Sequence, residues 1–267
     1  MERGILILAF GKAYDQLAAA TVNYSRQFTQ LPIYILTNMS KESRDVRWDT
    51  IDNVQFKTFS KSQDHNRRVK TRMDLFTPFE KTLYLDCDAA IQKTGIEQAF
   101  DLIPNNGLLL NQYMRWEIGD KVYRLYHRAM RRLQVQLPLD IYNGALIGWN
   151  KCVETDRFFE VWHKFWRLTG CGRDMPALAC AVKAVNMKVT TAPPKFFDPG
   201  GSTCDRDAII QHHYNCICFY EQFNLSDTFC KYKPFDNDAD GEYNKSDWSW
   251  IPMNYGPCPH WLVPFRG

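Results

Sequence analysis

Residues 83–91 read Leu-Tyr-Leu-Asp-Cys-Asp-Ala-Ala-Ile. The apolar stretch at 83–85 predicts a buried strand whose carboxyl end carries Asp86 and Asp88. Side chains two residues apart in extended chain share a face, so both carboxylates can reach one ligand while Cys87 points away. Ligands of open α/β sheets bind at the carboxyl ends of strands, and carboxylates suit Mg²⁺ or Mn²⁺, whose coordination phosphate oxygens can complete. The stretch therefore predicts a divalent-cation site that accepts a diphosphate.

An Asp-x-Asp pair by itself is a weak signal, because such a pair also caps turns or lies in water. The basic segment that precedes it, residues 63–76, strengthens the prediction. This segment favours an anionic ligand nearby, and it is predicted to be a helix that ends before Pro78, because a proline disfavours helix just ahead of it. Its cationic residues include Arg67, Arg68, Lys70 and Arg72.

Short β-rich runs alternate with helical patterns, which predicts an α/β fold of parallel strands covered by helices. Besides 83–85, strands are predicted at 4–10, 32–37, 54–59, 107–112, 144–149, 187–191 and 208–213, and helices at 14–28, 121–133, 156–168 and 176–185. We expect a single domain over 1–235. Periodicity disappears after that, so residues 236–267 are expected to form an irregular extension packed on the domain.

Composition excludes several classes of protein. The chain has 267 residues, a formal net charge of +3 and a pI near 8.3, too little positive charge to suggest a nucleic-acid partner. Its apolar runs are far shorter than the ~20 residues that span a bilayer, and no signal-peptide pattern is present, so a soluble, cytoplasmic protein is expected. The nine cysteines are scattered without a Cys-x-x-Cys pair, which favours reduced thiols.

Three motifs in this order resemble the nucleotide-diphospho-sugar transferases of the GT-A fold, and are similar to family 8-like glycosyltransferases. Residues 70–91 read KTRMDLFTPFEKTLYLDCDAAI, residues 142–149 read YNGALIGW, and residues 173–178 read RDMPAL. The resemblance implies a GT-A (Rossmann-like) α/β domain with a mixed, mostly parallel sheet flanked by helices. It also implies a metal-dependent glycosyltransferase that moves a sugar from a nucleotide-sugar donor, with a UDP-sugar favoured, to a hydroxyl of a glycan, lipid or protein acceptor.

The same resemblance implies roles for particular residues. Asp86 and Asp88 would hold Mn²⁺ or Mg²⁺ on the diphosphate, and Lys70 would reach the phosphates. Such enzymes often add a late histidine as a metal ligand, for which His212 and His213 are the candidates. Strand alternation allows one of them to face the metal, and we favour His212. The remaining donor-binding residues would be Ala9, Phe10, Gly11, Tyr14, Asn143 and Gly144.

Two aspartates are candidates for the catalytic residue. Asp174, just ahead of a predicted helix, would by resemblance contact a hydroxyl of the sugar or acceptor, or act as the general base of an inverting reaction. Its alternative role is an N-terminal cap or a favourable charge near the helix dipole. Asp140 is the second candidate for the base.

Other readings of the motif stay open. A haloacid-dehalogenase-like phosphatase also places Asp-x-Asp after an apolar strand, with the first aspartate as nucleophile, but its motif ends the first strand and is followed by Gly-Thr rather than Ala-Ala. A catalytically inactive nucleotide-sugar-binding module is the second alternative. Separately, the basic face over residues 121–132 is either solvated surface or a peripheral contact with a membrane or an anionic acceptor.

Overall fold

The computed structural model describes residues 2–59, 66–170, 172–198 and 207–212. Within these residues a seven-stranded sheet has the order β3-β2-β1-β4-β7-β6-β8, and a three-stranded sheet has the order β5-β10-β9. The strands are β1 (Arg3–Ala9), β2 (Ile33–Thr37), β3 (Val54–Thr58), β4 (Lys81–Asp86), β5 (Ala89–Ile91), β6 (Gly107–Trp116), β7 (Leu139–Asn150), β8 (Lys188–Thr191), β9 (Phe197–Asp198) and β10 (Ile210–His212). The helices are α1 (Lys12–Ser25), α2 (Asn66–Lys70), α3 (Ala99–Leu102), α4 (Arg124–Leu133), α5 (Val153–Leu168) and α6 (Asp174–Ala184).

The large sheet is mixed and mostly parallel, which confirms the predicted fold class. Strands β1 to β4 are parallel to one another, β8 is parallel to β6, and β7 is antiparallel to both β4 and β6. Leu8 of β1 pairs with Asp86 of β4, and Leu85 pairs with Leu146 of β7. The end of β1 and the Asn143–Gly144 step of β7 therefore lie at the same sheet edge as the acidic pair.

Side-chain alternation in β4 divides the core into two layers. Leu83 and Leu85 pack with residues of α1 on one face of the sheet, whereas Tyr84 packs with residues of α5 and α6 on the other. The second layer includes Trp162 and Trp166 of α5, both buried, as expected for aromatic residues at helical spacing. Helices on both faces leave the carboxyl edge of the sheet as the place where a cleft can form.

Several element boundaries differ from the prediction. The described part of the basic segment, residues 66–76, forms the short α2 and then a 3-10 turn at Met73–Leu75, and α4 begins at Arg124 rather than at residue 121. Strand β7 begins at Leu139, five residues before the predicted start, because Leu139 and Ile141 are buried against Trp116 of β6. These two strands extend together as a hairpin past the sheet. Strands β5 and β9 were not predicted, since each is three residues or fewer.

The predicted extension over 236–267 lies outside the described residues. Within the described part of the chain, none of the helices combines the length and the apolar character needed to cross a membrane.

Candidate metal and donor site

The acidic pair lies where β4 ends. Asp86 is the last residue of β4, and Asp88 follows in the turn that leads into β5. Asp86 Oδ1 accepts hydrogen bonds from Lys70 Nζ at 3.0 Å and from the Tyr84 hydroxyl. No residue in the described part of the chain donates a hydrogen bond to Asp86 Oδ2. One carboxylate oxygen thus anchors Asp86, and the other is left to bind a ligand.

His212 reaches the acidic pair through the small sheet. It lies at the end of β10, opposite Ala89 of β5, so that its Nε2 is 3.2 Å from Asp88 Oδ1. The imidazole is 5% exposed and stacks on Phe197, with ring centroids 6.1 Å apart. One ligand atom from each of Asp86, Asp88 and His212 lies within 4.8 Å of the others. His213, the other candidate, lies outside the described residues.

This set of donor atoms fits the expected cation. The two carboxylates suit Mn²⁺ or Mg²⁺, and the imidazole, a ligand typical of transition metals, favours Mn²⁺ of the two, whereas sites for softer metals use thiolates. The nearest thiol, Cys87, is buried in the core layer on the α1 face, and burial keeps the pKa of its thiol well above the ordinary value. Cys87 therefore stays neutral, and its packing in that core layer agrees with the prediction that its side chain points away from the carboxylates, although the residue also borders the cleft.

Lys70 joins the metal site to Asp174. Its ammonium is buried and lies 3.0 Å from Asp86 Oδ1 and 3.2 Å from Asp174 Oδ2. Burial by itself would lower the pKa of Lys70, but the two carboxylates outweigh burial and raise the pKa above its ordinary value. Lys70 is consequently a fixed positive charge in the cleft, and it contacts carboxylates in the structure where the sequence led us to expect phosphates.

Asp174 is the first residue of α6, and Arg173 occupies the cap position without a side-chain capping bond. Asp174 is therefore not the N-cap, although its charge lies favourably near the helix dipole. Burial would raise the pKa of Asp174, but Lys70 and Arg67, whose Nε is 3.8 Å from Oδ1, outweigh burial and lower it. The contact of Asp174 Oδ2 with Lys70 is an ion pair rather than a well-directed hydrogen bond.

A cleft of about 210 Å³ surrounds these groups. Of the predicted donor-binding residues, Phe10, Tyr14, Lys70, Asp86 and Asp88 line it. The prediction omitted other residues of the lining, namely Leu8, Asn66, Tyr84, Cys87, Arg173 and, as a site residue, Arg67. Tyr84 had a sequence signal, since it lies two residues before Asp86 in the same strand. Arg173 had none.

The remaining predicted donor-binding residues border the cleft in different ways. Ala9 is fully buried beneath the turn into α1, and the Gly11 amide donates to Asn38 Oδ1 at 2.7 Å, which holds that turn. A side-chain carbon at Gly144 would lie 3.5 Å from Asp174 Oδ2 and 3.6 Å from Lys70 Nζ, so the Gly144 backbone adjoins that ion pair. Asn143 Oδ1 accepts a hydrogen bond from the amide of Ala145 and thus braces its own strand.

Asp140 lies elsewhere. It lines a second cavity of about 400 Å³ between the β6–β7 hairpin, α6 and β8. There it accepts hydrogen bonds from Arg115 at 3.2 Å and from Gln112 at 2.9 Å. The structure thus brings Asp174, but not Asp140, together with the acidic pair.

His163 of α5 fixes the segment that carries Lys70. Its Nδ1 is 2.8 Å from the Thr71 hydroxyl, and burial, reinforced by the cations of Arg72, Arg167 and Arg68, lowers the pKa of His163 below 6.5. The folded protein therefore binds fewer protons here than the unfolded chain does, so the free energy of unfolding falls as the pH drops below about 6.5. We expect the free energy of unfolding to fall less in His163→Gln than in the wild type when the pH is lowered from neutral to mildly acidic.

Urea unfolding at several pH values checks this expectation. The matched control is His127→Gln, which makes the same substitution at an exposed histidine of α4. A pH dependence in His163→Gln equal to that of the wild type would contradict the role given to His163.

Comparison with known proteins supports the fold. No protein-family model and no curated protein sequence matches the chain. Among solved structures, galactosyltransferase LgtC in complex with donor and acceptor sugar analogues is 12% identical, with a TM-score of 0.53, over 78% of this chain and 86% of LgtC. Mouse xyloside xylosyltransferase 1 is 11% identical, with a TM-score of 0.55, over 80% of this chain and 98% of that protein. The bifunctional glycosyltransferase WbbM is 12% identical, with a TM-score of 0.55, over 80% of this chain and 46% of WbbM. The chain thus has the fold of the GT-A glycosyltransferases.

Proposed function

We propose that the protein is a metal-dependent glycosyltransferase that moves a sugar from a nucleoside-diphosphate donor to an acceptor hydroxyl. The observation that carries the proposal is the cluster of Asp86, Asp88 and His212 at the carboxyl edge of β4. The same cleft contains cationic side chains that suit an anionic donor, namely Arg67, Lys70 and Arg173.

Asp86, Asp88 and His212 are the residues that would hold Mn²⁺ or Mg²⁺. When bound, such a cation stabilises the negative charge that grows on a departing diphosphate. The hydrogen bonds from Lys70 and Tyr84 to Asp86 Oδ1 fix this carboxylate before any ligand arrives, so little reorganisation is needed. His212 is also fixed in advance, by the pairing of β10 with β5 and by stacking on the Phe197 ring.

The donor's nucleoside is assigned to the end of β1. Phe10 and Tyr14 line that end of the cleft, and their rings offer a surface on which a base can pack. The Gly11 turn, with φ of 87°, lets the chain pass from β1 into α1 beside this surface. A UDP-sugar is the donor we favour.

Asp174 is assigned to a sugar or acceptor hydroxyl. Because its ion pairs lower its pKa, it is a poor proton acceptor at neutral pH but a strong hydrogen-bond acceptor. We therefore propose that Asp174 orients a hydroxyl and holds Lys70 in place. Asp140 remains a predicted base. It is the weaker candidate of the two aspartates, because its ion pair with Arg115 places it in the second cavity.

The test is turnover of nucleotide sugars by the full chain. We expect release of nucleoside diphosphate from at least one of UDP-, GDP- and dTDP-linked sugars when Mn²⁺ is present, and none when the metal is chelated. The same preparation should not hydrolyse a simple phosphate monoester. Hydrolysis of the monoester without any nucleotide-sugar turnover would favour the phosphatase, and binding of a nucleotide sugar without turnover would favour the inactive module.

A further inference from the structure

Helix α4 has one strongly basic face. Its buried face, which includes Tyr126, Ala129 and Met130, packs on Trp116 and Leu139 of the β6–β7 hairpin. At 3.6 residues per turn, the basic side chains fall within an arc of about 140° on the opposite side. All of them are exposed, and together we call them the α4 basic face: Arg124, His127, Arg128, Arg131 and Arg132.

Three arginines of this face have no acidic partner in the described part of the chain. Among the residues that the structure describes, no carboxylate forms an ion pair with Arg128, Arg131 or Arg132. Of the acidic side chains nearest in sequence, Asp120 accepts a hydrogen bond from the backbone amide of Glu117, and Glu117 and Asp140 pair with Arg115 of the hairpin. The chain's formal net charge is only +3, so the charge density of the α4 basic face exceeds that of the chain as a whole.

Exposed apolar side chains lie at the N-terminal end of α4. Ile118 is 84% exposed in the turn between β6 and α4, and Tyr123, the residue before the helix, is 37% exposed. The Trp116 ring packs edge-on against Tyr123 at 5.3 Å and against Tyr126 at 4.9 Å, which anchors this turn to the first turn of the helix. Tyr113, three residues before Trp116 on β6, is 55% exposed.

We propose that this surface, the α4 basic face with Ile118 and Tyr123, docks on an anionic lipid bilayer. Arginines attract acidic headgroups, and an exposed isoleucine and tyrosine gain by entering the boundary between headgroups and acyl chains. A nucleic acid or another soluble polyanion would use the charges but would leave Ile118 in water, so the combination favours a bilayer. The proposal needs neither metal nor donor and does not depend on the proposed reaction.

Vesicle sedimentation with the full 267-residue chain tests the proposal. The vesicles are pure phosphatidylcholine, or phosphatidylcholine mixed with phosphatidylglycerol. We expect binding to the mixed vesicles only, weakened by added salt. Arg128→Gln, Arg131→Gln and Arg132→Gln together should lower the partition coefficient roughly a hundredfold, because each lost charge near the surface reduces the attraction by several-fold.

The matched control removes the same charge from another exposed helix surface. Arg157→Gln, Lys164→Gln and Arg167→Gln on α5 should bind as the wild type does. Ile118→Ser should lower the partition coefficient about tenfold through lost apolar burial, whereas Val153→Ser on α5, where Val153 is 80% exposed, should not. Circular dichroism and thermal unfolding confirm that each variant is folded.

Three results would overturn the proposal. The first is equal binding to both kinds of vesicle or to neither, and the second is an equal effect of the α4 and α5 charge variants. The third is unchanged vesicle binding by Ile118→Ser together with strong competition by a soluble polyanion, which would assign the face to polyanions instead.

Discussion

Replacing Asp86 and Asp88 together by asparagine is expected to lower metal-dependent sugar transfer by roughly 10³-fold or more, since several kcal/mol of charge stabilisation depend on the bound cation. Asparagine keeps the shape of each side chain but removes the negative charges that hold a divalent cation. Initial rates of nucleoside-diphosphate release, measured over a range of Mn²⁺ concentrations, report the effect. Excess Mn²⁺ should not restore the rate.

The control variant also replaces two aspartates by asparagine, but at surface positions. Asp49→Asn with Asp101→Asn alters exposed aspartates away from the cleft and should keep the wild-type rate. The single variant His212→Gln should show a smaller loss than the double variant, because both carboxylates remain. A double variant that turns over at the wild-type rate would remove Asp86 and Asp88 from the metal site.

Lys70→Met is expected to destabilise the fold by about 3–5 kcal/mol at neutral pH, because it leaves the carboxylates of Asp86 and Asp174 without their shared buried cation. Methionine has a similar length and no charge, so lost packing contributes little. The free energy of unfolding from urea titration measures the change. Lys164→Met, at an exposed position of α5, should be nearly neutral.

The difference in unfolding free energy between Lys70→Met and the wild type should depend on pH, because Asp174 can be protonated. Lys70 and Arg67 lower the pKa of Asp174 below 3.8, so their stabilisation is present above that pH and is lost as the pH falls through the lowered value. In Lys70→Met, the buried Asp174 carboxylate has lost the cation of Lys70, so the cost of burying its charge is less well offset. The variant therefore regains stability when Asp174 is protonated. The gap between variant and wild type should therefore be largest near neutral pH and should narrow below about pH 4. A gap that is independent of pH would contradict the ion-pair account.

Local sequence patterns were enough to predict much of the sheet. Strands β1, β2 and β4 are apolar runs of strand length, and the position of Asp86 and Asp88 after β4 follows from that pattern alone. The class of fold follows from the alternation of such runs with helical periods. These features depend on neighbours in sequence, which is why a single sequence reveals them.

Features that depend on distant pairing could not be predicted in the same way. The reversed direction of β7, its extension as a hairpin and the separation of Asp140 from the cleft all follow from pairing with β6. The contact of Lys70 with Asp174 likewise joins α2 to α6, and nothing in either segment alone indicates it. His212 reaches Asp88 through the pairing of β10 with the three-residue β5, which is too short to recognise in a sequence.

Calorimetric titration of a UDP-sugar into the full chain, with and without Mn²⁺, tests the central claim most directly, and GDP- and dTDP-sugars extend it to other donors. We predict saturable binding of a nucleotide sugar that requires Mn²⁺ and disappears in the Asp86→Asn, Asp88→Asn double variant, while the Asp49→Asn, Asp101→Asn control binds normally. Binding that is equally tight without Mn²⁺, or equally tight in the double variant, would contradict the assignment of Asp86 and Asp88 to a metal–diphosphate site.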